Sequence, residues 1–226
     1  MRKINRLLII EDDPDISRLL CVMLAAEDRE MVAAYSGTEG LLQLQGAPFD
    51  LVILDLMLPG KSGEELIREI RQESPVPILV ISAKVGIDDK VSVLRMGADD
   101  YITKPFDPKE VEARVEVQLR KSQAHPMPST EIVWRSLTLQ NEKRTVAYEQ
   151  VDLPLTNAEF DILSLLMHHP ERAFSKKEIY ERIWNGTYYG DDNTISVHVS
   201  NLRKKIAVHT SDDYIKTIWG IGFMLE

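Results

Sequence analysis

Residues 51–63 read Leu-Val-Ile-Leu-Asp-Leu-Met-Leu-Pro-Gly-Lys-Ser-Gly, and the first five of them set the fold. Leu51 to Leu54 run without a polar break into Asp55, and Pro59-Gly60 follows as a turn signal. A short continuous apolar run predicts a strand buried on both faces, which is the state of a strand inside a parallel sheet. Residues 7–10, Leu-Leu-Ile-Ile, repeat the arrangement and end in Glu11-Asp12-Asp13. In such sheets ligands sit beyond the carboxyl ends of the strands. Both runs therefore aim their acids at one edge. Crowded carboxylates raise each other's pKa, and a hard divalent cation removes that conflict. The pattern points to phosphate chemistry with magnesium.

Outward from this stretch, strand-like and helix-like segments alternate up to about Lys121. Strands are expected at 7–10, 31–35, 51–54, 76–81 and 101–103. Helices are expected at 15–26, 38–45, 63–71 and 88–96, with a last one opened by Asp107-Pro108. In the first helix Ile16, Leu19, Leu20 and Met23 share one face. Five βα units in sequence predict an α/β, doubly wound, five-stranded parallel sheet with helices on both faces. Residues 122–129, Ser-Gln-Ala-His-Pro-Met-Pro-Ser, break this rhythm and read as a linker over 122–130 between domains at 1–121 and 131–226. Beyond it come short β-like pieces at 132–134, 137–139, 145–148 and 151–153. Thr156-x-x-Glu159 and Ser175-x-x-Glu178 then have capping-box form ahead of helices. A third helix is expected from about Asn193 to Ile206, and a hairpin turning at Gly220-Ile221-Gly222 closes the chain.

The 226 residues carry 44% hydrophobic content, enough for two packed cores. No apolar stretch approaches about 18 residues, so no membrane span is expected. The basic start of the chain lacks the apolar region of a signal peptide. Cys21 is the single cysteine, which allows no internal disulfide and fits a cytoplasmic protein. Its neighbours Leu19, Leu20 and Leu24 favour packing, with a reactive thiol as the alternative.

Two further residues belong to the acidic edge. Ser82 follows the fourth strand and Lys104 the fifth. A carboxylate nucleophile, a hydroxyl donor and an ammonium at successive strand ends make a phosphoryl-accepting set. Each alone is weak, since a strand-end Asp is often a turn former and Lys-Pro a surface turn. Their joint occurrence at four strand ends is the stronger signal.

With LLIIEDDPDI, LVILDLMLPGKSG, Ser82-Ala83 and GADDYITKPF, the chain resembles the receiver domain of two-component response regulators, a flavodoxin-like fold. The resemblance implies Asp55 as phospho-acceptor and Mg2+ held by Glu11, Asp12, Asp55 and the Met57 backbone carbonyl. It implies Ser82 and Lys104 as phosphoryl-holding residues, and Ser82 with Tyr101 as the switch. On its own, Tyr101 reads equally as half-buried packing. The resemblance further implies a dimer face with reciprocal pairs Lys90–Glu110, Asp100–Arg114 and Asp99–Lys121, where a plain reading sees a solvated surface.

The second half has the element order of an α+β winged helix-turn-helix. Ile195, Val199, Leu202 and Ile206 make one core stripe on the third helix. Thr194, Val197, His198, Asn201 and Lys205 are expected on the opposite face, with Arg203, Lys204 and Lys205 gathering positive charge at its end. A generic solvated helix is the alternative reading. LTNAEFDILSLLMHHPERAFSKKEIYERIW, DDNTISVHVSNLRKKI and IKTIWGIGF resemble the effector domain of the OmpR/PhoB subfamily. That resemblance implies base contacts from Thr194, Val197 and Asn201, and backbone or flanking contacts from His198, Arg203 and Lys204. Relatives often carry Arg at the wing position held here by Trp219, which either reduces minor-groove contact or substitutes an apolar contact. From Ser122 onward Lys and Arg number eleven and Asp and Glu fourteen, an acidic balance for a DNA reader.

The leading expectation is a transcription factor phosphorylated on Asp55 by a sensor histidine kinase. It would dimerise through the receiver and bind promoter double-stranded DNA at tandem half-sites, with RNA polymerase as a further candidate partner. Two alternatives stand beside it. One is a magnesium-dependent phosphatase with an aspartyl nucleophile, disfavoured because Met57 occupies the place of a leaving-group acid. The other is a regulator that needs no phosphate.

Overall fold

The protein is described by a computed structural model covering residues 4–122, 131–184 and 192–226. Two compact units are present, Met1–Ser122 and Gln123–Glu226. Most of the expected linker, residues 123–130, lies outside the described residues.

The first unit alternates strand and helix throughout: β1 (Asn5–Ile10), α1 (Pro14–Met23), β2 (Arg29–Ala34), α2 (Gly37–Gly46), β3 (Leu51–Leu54), α3 (Gly63–Glu73), β4 (Ile78–Ser82), α4 (Ile87–Met96), β5 (Asp100–Thr103) and α5 (Pro108–Ser122). The sheet order is β2-β1-β3-β4-β5, and every neighbouring pair is parallel. The chain steps from β1 to β2 and then crosses back to β3. That reversal opens a crevice at the carboxyl ends of β1 and β3. Register places Ile10 beside Leu54, and the Asp55 amide donates to the Ile10 carbonyl at 3.0 Å. The next residues, Glu11 and Asp55, thus emerge side by side.

The apolar runs on β1, β3 and β4 are buried on both faces, as parallel packing requires. Leu7, Ile9, Leu51, Ile53, Leu79 and Ile81 form a core with Val111, Val115 and Leu119 of α5 and Leu20 of α1. Each such side chain contributes about 1.5–3 kcal/mol by leaving water. Cys21 packs at the margin of this core, and burial pushes its thiol pKa up, so the packing reading holds. The first helix departs from expectation at Leu19, which is 50% exposed. Leu20, Ile16 and Met23 supply the packing instead.

In the second unit β6 (Glu131–Trp134), β7 (Leu137–Gln140), β8 (Thr145–Tyr148) and β9 (Val151–Leu153) form an antiparallel meander. Three helices follow, α6 (Asn157–His168), α7 (Lys176–Trp184) and α8 (Asp192–Ala207). β10 (Phe174–Ser175) leads into α7, while β11 (Ile215–Ile218) and β12 (Gly222–Leu225) form the wing in a sheet of order β10-β12-β11. This is a winged helix. Both expected capping boxes are present: Thr156 with Glu159 at the start of α6, and Ser175 with Glu178 at the start of α7. Ile195, Val199, Leu202 and Ile206 are all buried, as their spacing requires. No helix among the described residues is long and apolar enough to cross a membrane.

Candidate phosphoryl-acceptor site and nucleic-acid interface

The sheet edge brings together residues from three strand ends. Glu11, Asp12 and Asp55 each offer a carboxylate oxygen, and these atoms lie within 4.8 Å of one another. Glu11 and Asp55 are buried, and Asp12 is exposed at the mouth. Asp13, next in sequence, points elsewhere. Its carboxylate accepts from the amides of Asp15 (2.8 Å) and Ile16 (3.1 Å) and caps α1.

Lys104, just past β5, closes the cluster. Its Nζ donates to Asp55 Oδ2 at 2.6 Å and to both Glu11 oxygens at 2.8 and 2.9 Å. Burial would lower the pKa of this ammonium, but hydrogen bonds to Asp55 and Glu11 outweigh it and hold the value above the ordinary one. For Glu11 burial dominates and raises the carboxyl, against the pull of Lys104. The second Asp55 oxygen, Oδ1, accepts from the Met57 amide at 3.0 Å. One lysine thus faces more carboxylate than it can neutralise. Hard oxygen donors in that number fit a divalent cation of the magnesium class.

Ser82 is the last residue of β4. Its Oγ is wholly buried and has no hydrogen-bond partner among the described residues. A buried hydroxyl left unpaired is costly and suits a site that receives an anionic oxygen. Tyr101 on β5 is buried, and its hydroxyl donates to the Lys84 carbonyl at 2.6 Å. Burial pushes the phenol up to about 12, with the neighbouring Ser82 hydroxyl working against the rise. Lys84, which flanks the site two residues past Ser82, also binds Glu64 in the first turn of α3 at 2.6 Å. It thereby ties the loop after β4 to the helix after β3.

The expected dimer residues are placed differently from one another. Lys90 lies over the Tyr101 ring at 5.6 Å. Arg114 binds Asp100 at 2.5 Å and Glu110 at 2.7 Å within the one chain. Asp99 does not lie on the surface. It is 0% exposed, and its Oδ2 accepts from Arg71 at 2.8 Å and from the Ile78 amide at 2.9 Å. Arg71 also donates to the carbonyls of Gly97, Ser74 and Val76. A buried Asp with a guanidinium across from it is a clasp between α3 and the α4–β5 turn, which corrects the surface role expected for Asp99. The Lys121 side chain lies outside the described residues.

On α8 the expected open face is corrected as well. Thr194, Val197, His198 and Asn201 are all buried, the most open being Asn201 at 8%. His198 stacks on Trp184 of α7, with ring centroids 6.1 Å apart. Helical periodicity separates the two faces of α8 without saying that the second is wet. Two of the three cations at its end are also engaged. Lys205 donates to Glu159 and to the Pro154 carbonyl, both at 2.6 Å. Arg203 donates to the Ile215 carbonyl and to Thr217, holding the wing strand. Lys204 is exposed, and Trp219 at the wing tip is 91% exposed. No signal in the sequence marks Glu159 as a partner for Lys205 beyond its place in a capping box.

Comparison with known proteins agrees with both halves. Residues 7–116 match the response regulator receiver domain, and residues 149–225 match the C-terminal domain of transcriptional regulatory proteins. YcbL, an uncharacterized transcriptional regulatory protein of Bacillus subtilis, is 39% identical, with 96% of this chain and 99% of that one covered. The transcriptional regulatory protein BaeR of Escherichia coli is 34% identical over 98% of this chain and 92% of its own length. The response regulator ArlR of Staphylococcus aureus is 33% identical over 98% and 100%. Among solved structures, a RitR mutant superposes with TM-score 0.77 at 23% identity over 98% of this chain and 99% of its own, a likeness of fold. With a receiver fold, its acidic edge and a winged-helix unit in one chain, the protein belongs to the response regulator transcription factors of the OmpR/PhoB type.

Proposed function

We propose that the chain switches promoter binding through phosphorylation of Asp55 by a partner histidine kinase. One observation carries the reading: Lys104 bridges Asp55 and Glu11 beside a third acid, with the Ser82 hydroxyl buried and unpaired. Glu11, Asp12, Asp55 and the Met57 carbonyl would hold Mg2+, which when bound neutralises charge on the acids and on the phosphoryl oxygens. The Met57 amide and Lys104 orient the Asp55 carboxylate. One of its oxygens attacks phosphorus, the P–N bond to the kinase imidazole breaks, and the electron pair returns to that ring. Lys104 and Ser82 then hold the transferred oxygens. Met57 stands where a leaving-group acid would be needed for turnover, which favours a persistent phospho-aspartate over a phosphatase.

The signal leaves through Ser82 and Tyr101 to α4, β5 and α5, where Lys90, Glu110, Asp100 and Arg114 supply the dimer pairs. For Asp100–Arg114 to form between subunits, the internal pair must open. Thr194, Val197 and Asn201 contact bases once their face of α8 is uncovered, with Lys204 at the phosphates, and two linked copies read tandem half-sites. RNA polymerase is the expected downstream partner.

The test uses full-length protein, a small-molecule phosphodonor and Mg2+. Intact mass should rise by one phosphoryl group in the parent, and not in Asp55→Asn or with chelator present. Modification that survives Asp55→Asn, or equal promoter affinity before and after phosphorylation, overturns the reading.

A further inference from the structure

The first unit carries a groove between α2 and α3 that the acceptor site does not use. The two helices are pinned where they start. A Cβ at Gly37, the first residue of α2, would collide with the Lys61 carbonyl just ahead of α3, and one at Gly40 would collide with the Ile10 side chain of β1. Between their C-terminal halves a groove of ≈ 600 Å3 stays open. Leu41 and Leu44 form one wall and Ile70 the other, with Phe49 and Val76 from the segments that enter β3 and β4. Each helix of a parallel βα unit runs back against its strand. The groove therefore lies at the amino ends of β3 and β4, the edge opposite Asp55.

Its charge is one-sided. Among the described residues, no Lys or Arg lines it. The cations nearby are matched by other acids: Arg6 by Glu30, Lys61 by Glu69 and Arg71 by Asp99. Glu73 lines the groove, is exposed, and has no ion pair among the described residues. Both helices also end here. α2 has no basic residue in its last turn, and the one in α3 is Arg71, which Asp99 neutralises. Two helix C-termini thus add partial negative charge to that of Glu73.

An apolar trough with an acid at its rim suits a cation that carries apolar surface. Phe49 is the single aromatic side chain lining it among the described residues, short of the cage that holds a small organic ammonium. A trough between two helices fits instead the row of anchors on one face of a third. We propose that this groove docks a cationic amphipathic helix of a partner protein, with leucine-type side chains on its apolar walls and an arginine at Glu73 and the helix ends. A guanidinium offers five donors, enough for a carboxylate and free helix carbonyls together. Because the docking edge is the one opposite Asp55, this surface stands or falls apart from the phosphorylation reading.

The probe is a set of labelled, Ala-based helical peptides with Leu at i, i+4 and i+7 and Arg at flanking positions, beside a set with Glu in place of Arg. Fluorescence anisotropy against the full-length protein reads binding. The Arg set should bind and the Glu set should not. Glu73→Arg should weaken the tightest Arg peptide on the order of fivefold, the scale of one exposed ion pair made repulsive, and should admit its Glu counterpart. Leu44→Ala should weaken the same Arg peptide on the order of tenfold, since less of the wall covers its anchors. Glu73 is exposed and Leu44 only half-buried, so both variants should keep a cooperative urea transition.

Equal binding of the Arg and Glu sets, or binding that both variants leave unchanged, overturns the proposal. So does full competition by arginine amide at concentrations comparable with the peptide, which would make the groove a small-cation site. A parent dimer in sedimentation that Glu73→Arg disperses would assign the groove to a second copy of this chain, and overturn the proposal as well.

Discussion

Lys104 and Lys205 make the same contact in the two units. Each places its ammonium against a buried glutamate, Glu11 at 2.8 Å and Glu159 at 2.6 Å. The surroundings differ. Lys104 is also bound to Asp55 at 2.6 Å, with Asp12 completing an acidic cluster. The second partner of Lys205 is a neutral carbonyl, that of Pro154. The first arrangement is short of positive charge, and the second is balanced. A surplus of buried acid is a place where a cation or a transferred group can enter. A balanced pair is a bolt between α6 and α8. Charge balance around a lysine, more than its presence, separates a reactive edge from a packed one.

The largest effect should come from unbalancing the bolt. Lys205→Met leaves Glu159, 1% exposed, without its cation. Removing one member of a buried pair costs about 3 kcal/mol. The transition of the second unit should move to lower denaturant, with that of the first unit unchanged. A role in phosphate contact instead implies weaker DNA binding at unaltered stability, and that outcome would break the comparison.

The acidic edge should respond in the opposite sense to added cation. Mg2+ at a hundredfold excess over its dissociation constant stabilises the binding unit by about 2.7 kcal/mol. Chelator should abolish the gain in urea midpoint, and Asp12→Asn should reduce it. Lys104→Met, with one competing charge gone, should bind Mg2+ more tightly than the parent. A midpoint indifferent to Mg2+ would mean that the three carboxylates do not act as one site.

These two regions are also unequally legible in the sequence. At the sheet edge, strand ends are aligned by parallel pairing, so apolar runs ending in Glu11, Asp55, Ser82 and Lys104 are enough to gather a site. Topology supplies the third dimension. On α8, periodicity locates the core stripe of Ile195, Val199, Leu202 and Ile206 but cannot say what lies against the other side. Lys205 and Arg203 look solvated from their own neighbourhood. Their partners are Glu159, 46 positions away, and the Ile215 carbonyl, 12 positions away. Asp99 is misread for the same reason. Nothing near it in sequence announces Arg71, 28 positions earlier. A charged residue is read correctly when the fold class dictates its neighbours, and misread when its partner is a single distant side chain.

A smaller effect sharpens the same contrast at the helix starts. Ser62 and Thr156 make matching capping boxes with Glu65 and Glu159. The first is exposed and the second buried. Thr156→Ala should cost about 1–2 kcal/mol, because the amide it leaves unpaired has no water to replace the hydroxyl. Ser62→Ala should cost less. Equal losses, measured by denaturant midpoint, would mean that burial adds nothing to a cap.

The smallest effect is a control in which the two units should behave alike. Glu65 of the first unit and Glu178 of the second are both exposed capping-box acids. The carboxyl of Glu65 is held below its usual value first by the Ser62 amide and then by the Ser62 hydroxyl. Ser175 does the same for Glu178 in the same order. A folded-state pKa below the unfolded one gives stability that is present above the unfolded value. It is lost as pH falls through the folded value, because the unfolded chain then takes up the proton first. Against the parent, Glu65→Gln and Glu178→Gln should therefore show a deficit in melting temperature near pH 6 that closes as pH drops below the ordinary carboxyl range. The two curves should have the same shape, since both acids face solvent and the same pair of donors. A deficit that stays flat with pH would remove the carboxylate charge from the account. Curves of different shape would show that the units differ in more than the balance of their buried charge.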